Sequence, residues 1–206
     1  MSKFIEAAAE IAHRGWVVIS DFLPAKTVAA LRGEAEQLWL QSNFRQAGTG
    51  RLGGYAIRPG VRSDHIHWLD EQSPTEAQSL YCATIEELRQ DLNRELFLSL
   101  STYEAHFAVY PAGAFYQKHL DRFNNADERT ISCTCYLNET WKEEYGGQLR
   151  LYLPNSYVDV LPTAGTCALF RSDTFFHEVL PATETRFSLT GWFRRRSLRL
   201  VQPPEQ

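Results

Sequence analysis

Apolar positions recur at helical spacing through roughly the first half of the chain and alternate by twos from Thr102 onward. Phe4, Ala8 and Ile11 share one face of a short amphipathic helix, and Trp16-Val17-Val18-Ile19 reads as a strand. After Asp21-Phe22-Leu23, Pro24 can open a helix whose Val28, Leu31, Ala35 and Leu38 keep helical spacing. Ser73 stands where an N-cap belongs, with Pro74 next and Glu76 three residues on, and Leu88, Leu92 and Leu96 form the apolar stripe of the helix that follows. Stripes of this kind pack against a sheet.

Residues 103–110, 115–121, 130–137, 148–153, 166–171, 176–180 and 186–193 read as short strands. Pro111-Ala112-Gly113, Tyr145-Gly146-Gly147 and Pro154-Asn155-Ser156 are the turns between some of them. Helices followed by many strands predict a mainly β fold with N-terminal helices, a sandwich or jelly roll buttressed by those helices. At 206 residues the chain suits one domain, with residues 1–101 as helical support and loop and 102–196 as the core. Residues 201–206 read as a frayed tail. Residues 46–62 carry Gly48, Gly50, Gly53, Gly54 and Gly60 and show no periodicity. A stretch of that length inside a compact domain favours a lid over a site rather than a slack surface loop. No Gly-Lys-Ser/Thr ending marks it as a phosphate cradle.

Composition narrows the class. Hydrophobic residues make up 44% and charged residues 22%, which fits a globular chain, and a net charge of -4 gives no general attraction to nucleic acid or an anionic membrane. Glu6 and Glu10 interrupt the first apolar pattern, so it cannot act as a signal-peptide core, and no run reaches the ~18 apolar residues of a membrane span. A cytoplasmic location is therefore expected, with Cys82, Cys133, Cys135 and Cys167 as reduced thiols. Cys133 and Cys135 share a strand face but lack the second matched pair of a zinc site, so they are expected in the core. The sequon Asn138-Glu139-Thr140 is expected to be coincidental.

Chemistry concentrates in two places. In Tyr116-Gln117-Lys118-His119-Leu120-Asp121, strand alternation turns His119 and Asp121 to one face and Leu120 to the other. His177 offers a third ligand from a later strand. Two histidines and one carboxylate form the facial triad of non-haem Fe(II) oxygenases, whose three open positions accept a bidentate 2-oxo acid and oxygen. Taken singly, His-x-Asp also fits a chance pair on a solvated strand, and His177 a structural histidine. Downstream, Arg186, Ser188, Thr190 and Trp192 share one strand face. An arginine pointing into a barrel calls for an anion, and the distal carboxylate of 2-oxoglutarate suits a bidentate clasp. A surface pair of Arg186 with Glu184 is the bland alternative.

Several further motifs are familiar together: Val109-Tyr110-Pro111, Cys135-Tyr136-Leu137-Asn138, Gly146-Gly147-Gln148-Leu149-Arg150, His177-Glu178-Val179 and Arg186-Phe187-Ser188-Leu189-Thr190. With the His119 motif they make the chain resemble the prolyl hydroxylases related to the hypoxia-inducible-factor enzymes, in a bacterial form. Gly15-Trp16-Val17-Val18 and Asp21-Phe22-Leu23 extend the resemblance upstream. It implies a double-stranded β-helix with iron on His119, Asp121 and His177. Arg186 becomes the 2-oxoglutarate clamp. Tyr136, with Thr134 facing the same way, donates its phenol to the cosubstrate. Tyr110 lines the iron pocket, Thr190 and Trp192 wall it, and Leu149 packs beside the cosubstrate. The segment from Val61 to Trp68 resembles the end of a mobile substrate loop, which implies that Asp64 pairs with Arg129 near the entrance and that Arg62 and Tyr55 approach substrate.

The activity so implied uses Fe(II), 2-oxoglutarate and oxygen, with ascorbate a candidate reductant, to hydroxylate a prolyl residue in a protein. The resemblance points to a translation elongation factor of the Tu type as target, to a monomer without nucleic-acid or membrane partners, and to oxygen sensing or constitutive modification as the role. Two rivals remain: an oxygenase of a free amino acid or small metabolite, and a cupin-like metal-binding sensor without turnover. Arg186 and Tyr136 argue against the sensor, which needs no 2-oxo acid clamp.

Overall fold

Residues 3–49, 56–70, 72–122 and 128–196 are described by the computed structural model. Tyr55, Gly50, Gly53, Gly54 and the tail at 201–206 lie outside the described residues. Three helices, α1 (Lys3–Arg14), α2 (Ala25–Leu40) and α3 (Glu76–Leu96), accompany the strands. Phe4, Ala8 and Ile11 of α1, Val28, Leu31 and Ala35 of α2, and Leu88 and Leu92 of α3 are all buried in one apolar cluster, so the helical spacing reports a real inner face.

The cap of α3 differs from expectation. Thr75, not Ser73, holds the N-cap position, and its hydroxyl accepts from the Gln78 backbone N–H. The reason is tertiary. Thr75 also donates to Glu34 of α2, and the Gln78 side chain donates to the other oxygen of that carboxylate. The helix therefore starts where it can dock on α2.

The strands are β1 (Trp16–Ile19), β2 (Arg45–Gln46), β3 (His65–Trp68), β4 (Leu100–Tyr110), β5 (Tyr116–His119), β6 (Arg129–Tyr136), β7 (Leu149–Tyr152), β8 (Tyr157–Val160), β9 (Cys167–Arg171), β10 (His177–Val179) and β11 (Arg186–Arg195). They form two antiparallel sheets: seven strands in the order β1-β9-β6-β11-β4-β3-β2, and four in the order β5-β10-β7-β8. This is the expected jelly roll with helices against it. The short edge strands β2 and β8 were not legible, because two and four residues carry too little alternation to separate from a turn.

The large sheet has two different faces. Phe187, Leu189 and Phe193 of β11 point into the cluster under the helices, together with Cys133 and Cys135 of β6 and Cys167 of β9. The Cys133 and Cys167 sulfurs are 3.4 Å apart, well beyond a disulfide bond of about 2.05 Å, and all three thiols are core residues as expected. The opposite face carries Tyr110, Tyr136, Ala168 and Phe170 against Leu149, Leu151 and Val179 of the small sheet. Alternation along β11 turns Arg186, Ser188, Thr190 and Trp192 the same way, into the space between the sheets.

Gly191 makes the helix-side packing possible. A Cβ there would meet the Tyr103 ring at 2.5 Å and the Glu104 carbonyl at 2.6 Å. Tyr103 cannot swing aside freely, because its hydroxyl is hydrogen-bonded to that of Tyr81 on α3 at 2.6 Å. Gly191→Ala is expected to destabilise the fold by about 1–3 kcal/mol, read as a lower denaturant midpoint. An unchanged midpoint would show that the tyrosine pair is free to move. Among the described residues no helix is long and apolar enough to cross a membrane.

Candidate metal centre

His119 ends β5 and His177 begins β10, and the two are direct cross-strand partners in the small sheet. Asp121 lies just past the end of β5 rather than within it, yet it still turns toward both rings. The Nε2 atoms of His119 and His177 stand 3.6 and 3.5 Å from the two Asp121 carboxylate oxygens. An ordinary N–H···O bond is about 2.9 Å, so these contacts are not good hydrogen bonds. One ligand atom from each residue lies within 4.8 Å of the others, and this is the only such group among the described residues.

The protonation pattern favours metal binding. His119 Nδ1 lies 2.7 Å from the Gln117 carbonyl and His177 Nδ1 lies 3.1 Å from the Phe175 carbonyl. A carbonyl only accepts, so Nδ1 carries a proton in each ring, which leaves Nε2 as the atom that can bind a metal. Burial, then the nearby His119, push His177 down to about 4, leaving it neutral. Burial opposes ionisation of Asp121, but the two imidazoles and the Ser132 hydroxyl together hold its carboxyl well below the usual range.

A second group lies on the inner face of the large sheet. Arg186 is 1% exposed, and its guanidinium lies over the rings of Tyr110 and Tyr136 at 4.9 and 5.0 Å. It donates to Ser188 Oγ at 3.3 Å, and among the described residues its Nε has no partner. No described carboxylate pairs with it, and Glu184 stays exposed at the surface. The Tyr136 hydroxyl is also buried without a partner, and burial pushes its phenol up, so it remains a protonated donor. Buried cations and hydroxyls are normally satisfied, so a guanidinium with an unsatisfied Nε beside an unsatisfied phenol marks the seat of an anion. Gly147, at φ 70 in its turn, lets the chain pass close to the Arg186 stem, where a Cβ would sit 3.3 Å from Cδ.

The other expected pocket residues fall on this face. Thr190 opposes Thr134 across β11 and β6, Trp192 is buried two positions on, and Leu149 faces them from β7. The expected pair of Asp64 with Arg129 does not form. Asp64 is fully buried and takes a bidentate grip from Arg62, at 2.8 and 2.6 Å. Arg129 instead bonds Glu104 at 2.9 Å and stacks on Trp192 at 3.5 Å. The register explains this. Arg129 sits opposite Arg194, whereas Asp64 precedes His65, which opposes Val109 beside Phe187 at the other end of β11.

Arg62 also lies over the Tyr116 ring at 4.1 Å, and Tyr116 stacks on His119 at 3.5 Å, so the base of the glycine-rich loop is in contact with a ligand's neighbour. Three site residues escaped the sequence reading. Ser132 and Ser172 are hydroxyls beside Asp121, and His106 is a buried imidazole between Trp68 and Trp192, pushed down to about 3 chiefly by burial. A signal for Ser132 did exist: Ser132, Thr134 and Tyr136 are polar on alternate positions of an otherwise apolar strand.

The profile of the 2OG-Fe(II) oxygenase superfamily matches residues 105–194. A crystal structure of a Pseudomonas putida prolyl-4-hydroxylase superposes with a TM-score of 0.86 at 42% identity, covering 94% of this chain and 100% of that one. A Trichoplax adhaerens prolyl hydroxylase in complex with a hypoxia-inducible-factor peptide fragment gives 0.83 at 26% identity, covering 93% and 90%. The hypoxia-inducible factor prolyl hydroxylase of Caenorhabditis elegans is 30% identical over 201 residues, 90% of this chain and 27% of the relative. The chain spans less than half the length of the curated relatives it matches first.

Proposed function

Because this chain belongs to the 2OG-Fe(II) oxygenase superfamily, we propose that it hydroxylates a prolyl residue of a protein, consuming 2-oxoglutarate and oxygen and releasing succinate and CO2. The observation that carries this reading is Arg186: a buried guanidinium without a carboxylate partner among the described residues, on the inner face of the large sheet, opposite the small sheet that carries the His–Asp–His triad. The residues fit the family's metal and cosubstrate. His119, Asp121 and His177 hold Fe(II), which supplies the oxygen-activating chemistry when bound. Arg186 and Tyr136 hold the distal carboxylate of 2-oxoglutarate, one by charge and one by its phenol O–H. Tyr110, Thr134, Leu149, Thr190 and Trp192 line the cosubstrate pocket, keeping it shaped and dry.

The likeness to enzymes solved as prolyl hydroxylases, one of them with a peptide bound, supports a polypeptide target. Arg62 and Arg129 are then positioned to meet it, and the Asp64 carboxylate acts by orienting Arg62. We place Tyr55 in the same role on the resemblance alone. The same resemblance supports a translation elongation factor of the Tu type as the target and the cytoplasm as the location, with ascorbate as reductant.

The test is incubation of proteins from the source cell, with this gene deleted, with enzyme, Fe(II), 2-oxoglutarate and air, followed by peptide mass spectrometry. The expected result is addition of one oxygen to a proline, absent with His119→Ala, and the modified peptide names the target. Succinate accumulating while no peptide gains oxygen would move the substrate to a small molecule and sink the prolyl assignment.

A further inference from the structure

Asp121 is held from outside the triad by a short chain of hydroxyls. Ser132 Oγ lies 2.6 Å from Asp121 Oδ2 and 2.9 Å from Ser172 Oγ. Ser132 and Ser172 are 1% and 0% exposed, so neither can turn to water. An ionised carboxylate only accepts, so the Ser132 proton goes to Asp121. With the Ser132 proton given to Asp121, Ser172 is the donor to the Ser132 oxygen, which fixes the direction of the chain. The hydroxyl bond falls on Oδ2, which also faces His177 Nε2 at 3.5 Å, while Oδ1 faces His119 Nε2 at 3.6 Å. The two serines come from β6 and from the residue after β9, so the large sheet reaches across to orient a ligand attached to the small one.

We propose that Ser132, steered by Ser172, is a positioning residue that holds Asp121 in a single-oxygen binding posture and so keeps an open coordination position at the metal. This rests on the triad being a metal centre. Without the hydroxyl, the carboxylate is free to rotate between its neighbours, and a second oxygen can turn inward. Hydrogen-bond partners of metal ligands are worth about 10–100-fold in metal affinity.

The test uses the whole chain. Mn(II) affinity is measured by titration calorimetry, and the visible band of the anaerobic Fe(II)–2-oxoglutarate complex is recorded. Ser132→Ala is compared with the double variant Ser132→Ala/Ser172→Ala, in which no hydroxyl is stranded. Each leaves the Asp121 carboxylate without its hydroxyl, so the metal-free melting temperature is recorded beside each affinity to separate loss of fold from loss of binding. Both variants are expected to bind Mn(II) about 10–100-fold more weakly and to shift the band, and Ser132→Thr is expected to restore both readings. Wild-type affinity and an unshifted band in the double variant would overturn the role of Ser132 while leaving the metal centre standing. Failure of the wild-type chain to bind Mn(II) would overturn the metal centre, and this proposal with it.

Discussion

Replacing Asp121 with alanine is expected to reduce Mn(II) or Fe(II) affinity about a thousandfold and to abolish turnover. Asp121 is the one anionic donor of the triad, and its carboxylate faces both imidazoles at 3.5–3.6 Å. Structural zinc in four-donor zinc-finger peptides is bound with roughly 10–16 kcal/mol, about 2.5–4 kcal/mol per donor, and the one anionic donor of this triad is placed at the upper end of that range. The loss falls on the loaded protein. In the metal-free chain the carboxylate meets a neutral His177 and the Ser132 hydroxyl, so its removal takes away no strong ion pair. Titration calorimetry against a thermal melt separates the two effects. Unchanged metal affinity with an intact fold would sink the triad.

Arg186→Met should show the complementary pattern, a loss of 2-oxoglutarate affinity with metal affinity kept. Truncating one partner of a buried, hydrogen-bonded charge pair costs about 2–5 kcal/mol, at least about thirtyfold in affinity. Methionine fills much of the same space and lies well against Tyr110 and Tyr136, the rings now beneath the guanidinium. The metal-free, cosubstrate-free variant is expected to melt no lower than wild type, an unusual result for a fully buried position. The reason is that the buried charge has no carboxylate to repay its desolvation until the anion arrives. Equal losses of Mn(II) and 2-oxoglutarate affinity would count against the clamp.

Much of this site was legible because strand alternation is a strict rule. It puts Arg186, Ser188, Thr190 and Trp192 on one strand face and Cys133 and Cys135 together on one face of another strand; that these are opposite sides of one sheet follows only from the pairing of β11 with β6. The convergence of His177 on His119 was a different matter. It depends on the register of β10 against β5, which no local pattern encodes. Asp64 shows how a longer-range guess can lose to a nearer partner. Arg62 stands two residues away on the same side of an extended segment, and that short reach places both guanidinium nitrogens on the carboxylate. Thr75 failed for the opposite reason: Ser73 and Thr75 are equally good caps in sequence, and Glu34 on another helix chose between them. Ser132 was visible as a polar residue on the inner face, but its partner became clear only once the two sheets were stacked.

The end of the glycine-rich loop lies along β5. Ser63 N–H donates to the Phe115 carbonyl at 3.0 Å, Gln117 N–H donates to the Val61 carbonyl at 2.8 Å, and Arg62 opposes Tyr116. β5 is the outermost strand on its side of the four-stranded sheet, and it carries His119. An uncovered edge strand offers its free N–H and C=O groups to any passing chain, which is the usual route to strand-by-strand aggregation. Residues 61–63 occupy those groups. The segment that ends the glycine-rich loop is thus also a guard against self-association, and shortening the loop through this stretch would leave a sticky edge at the very strand that bears His119.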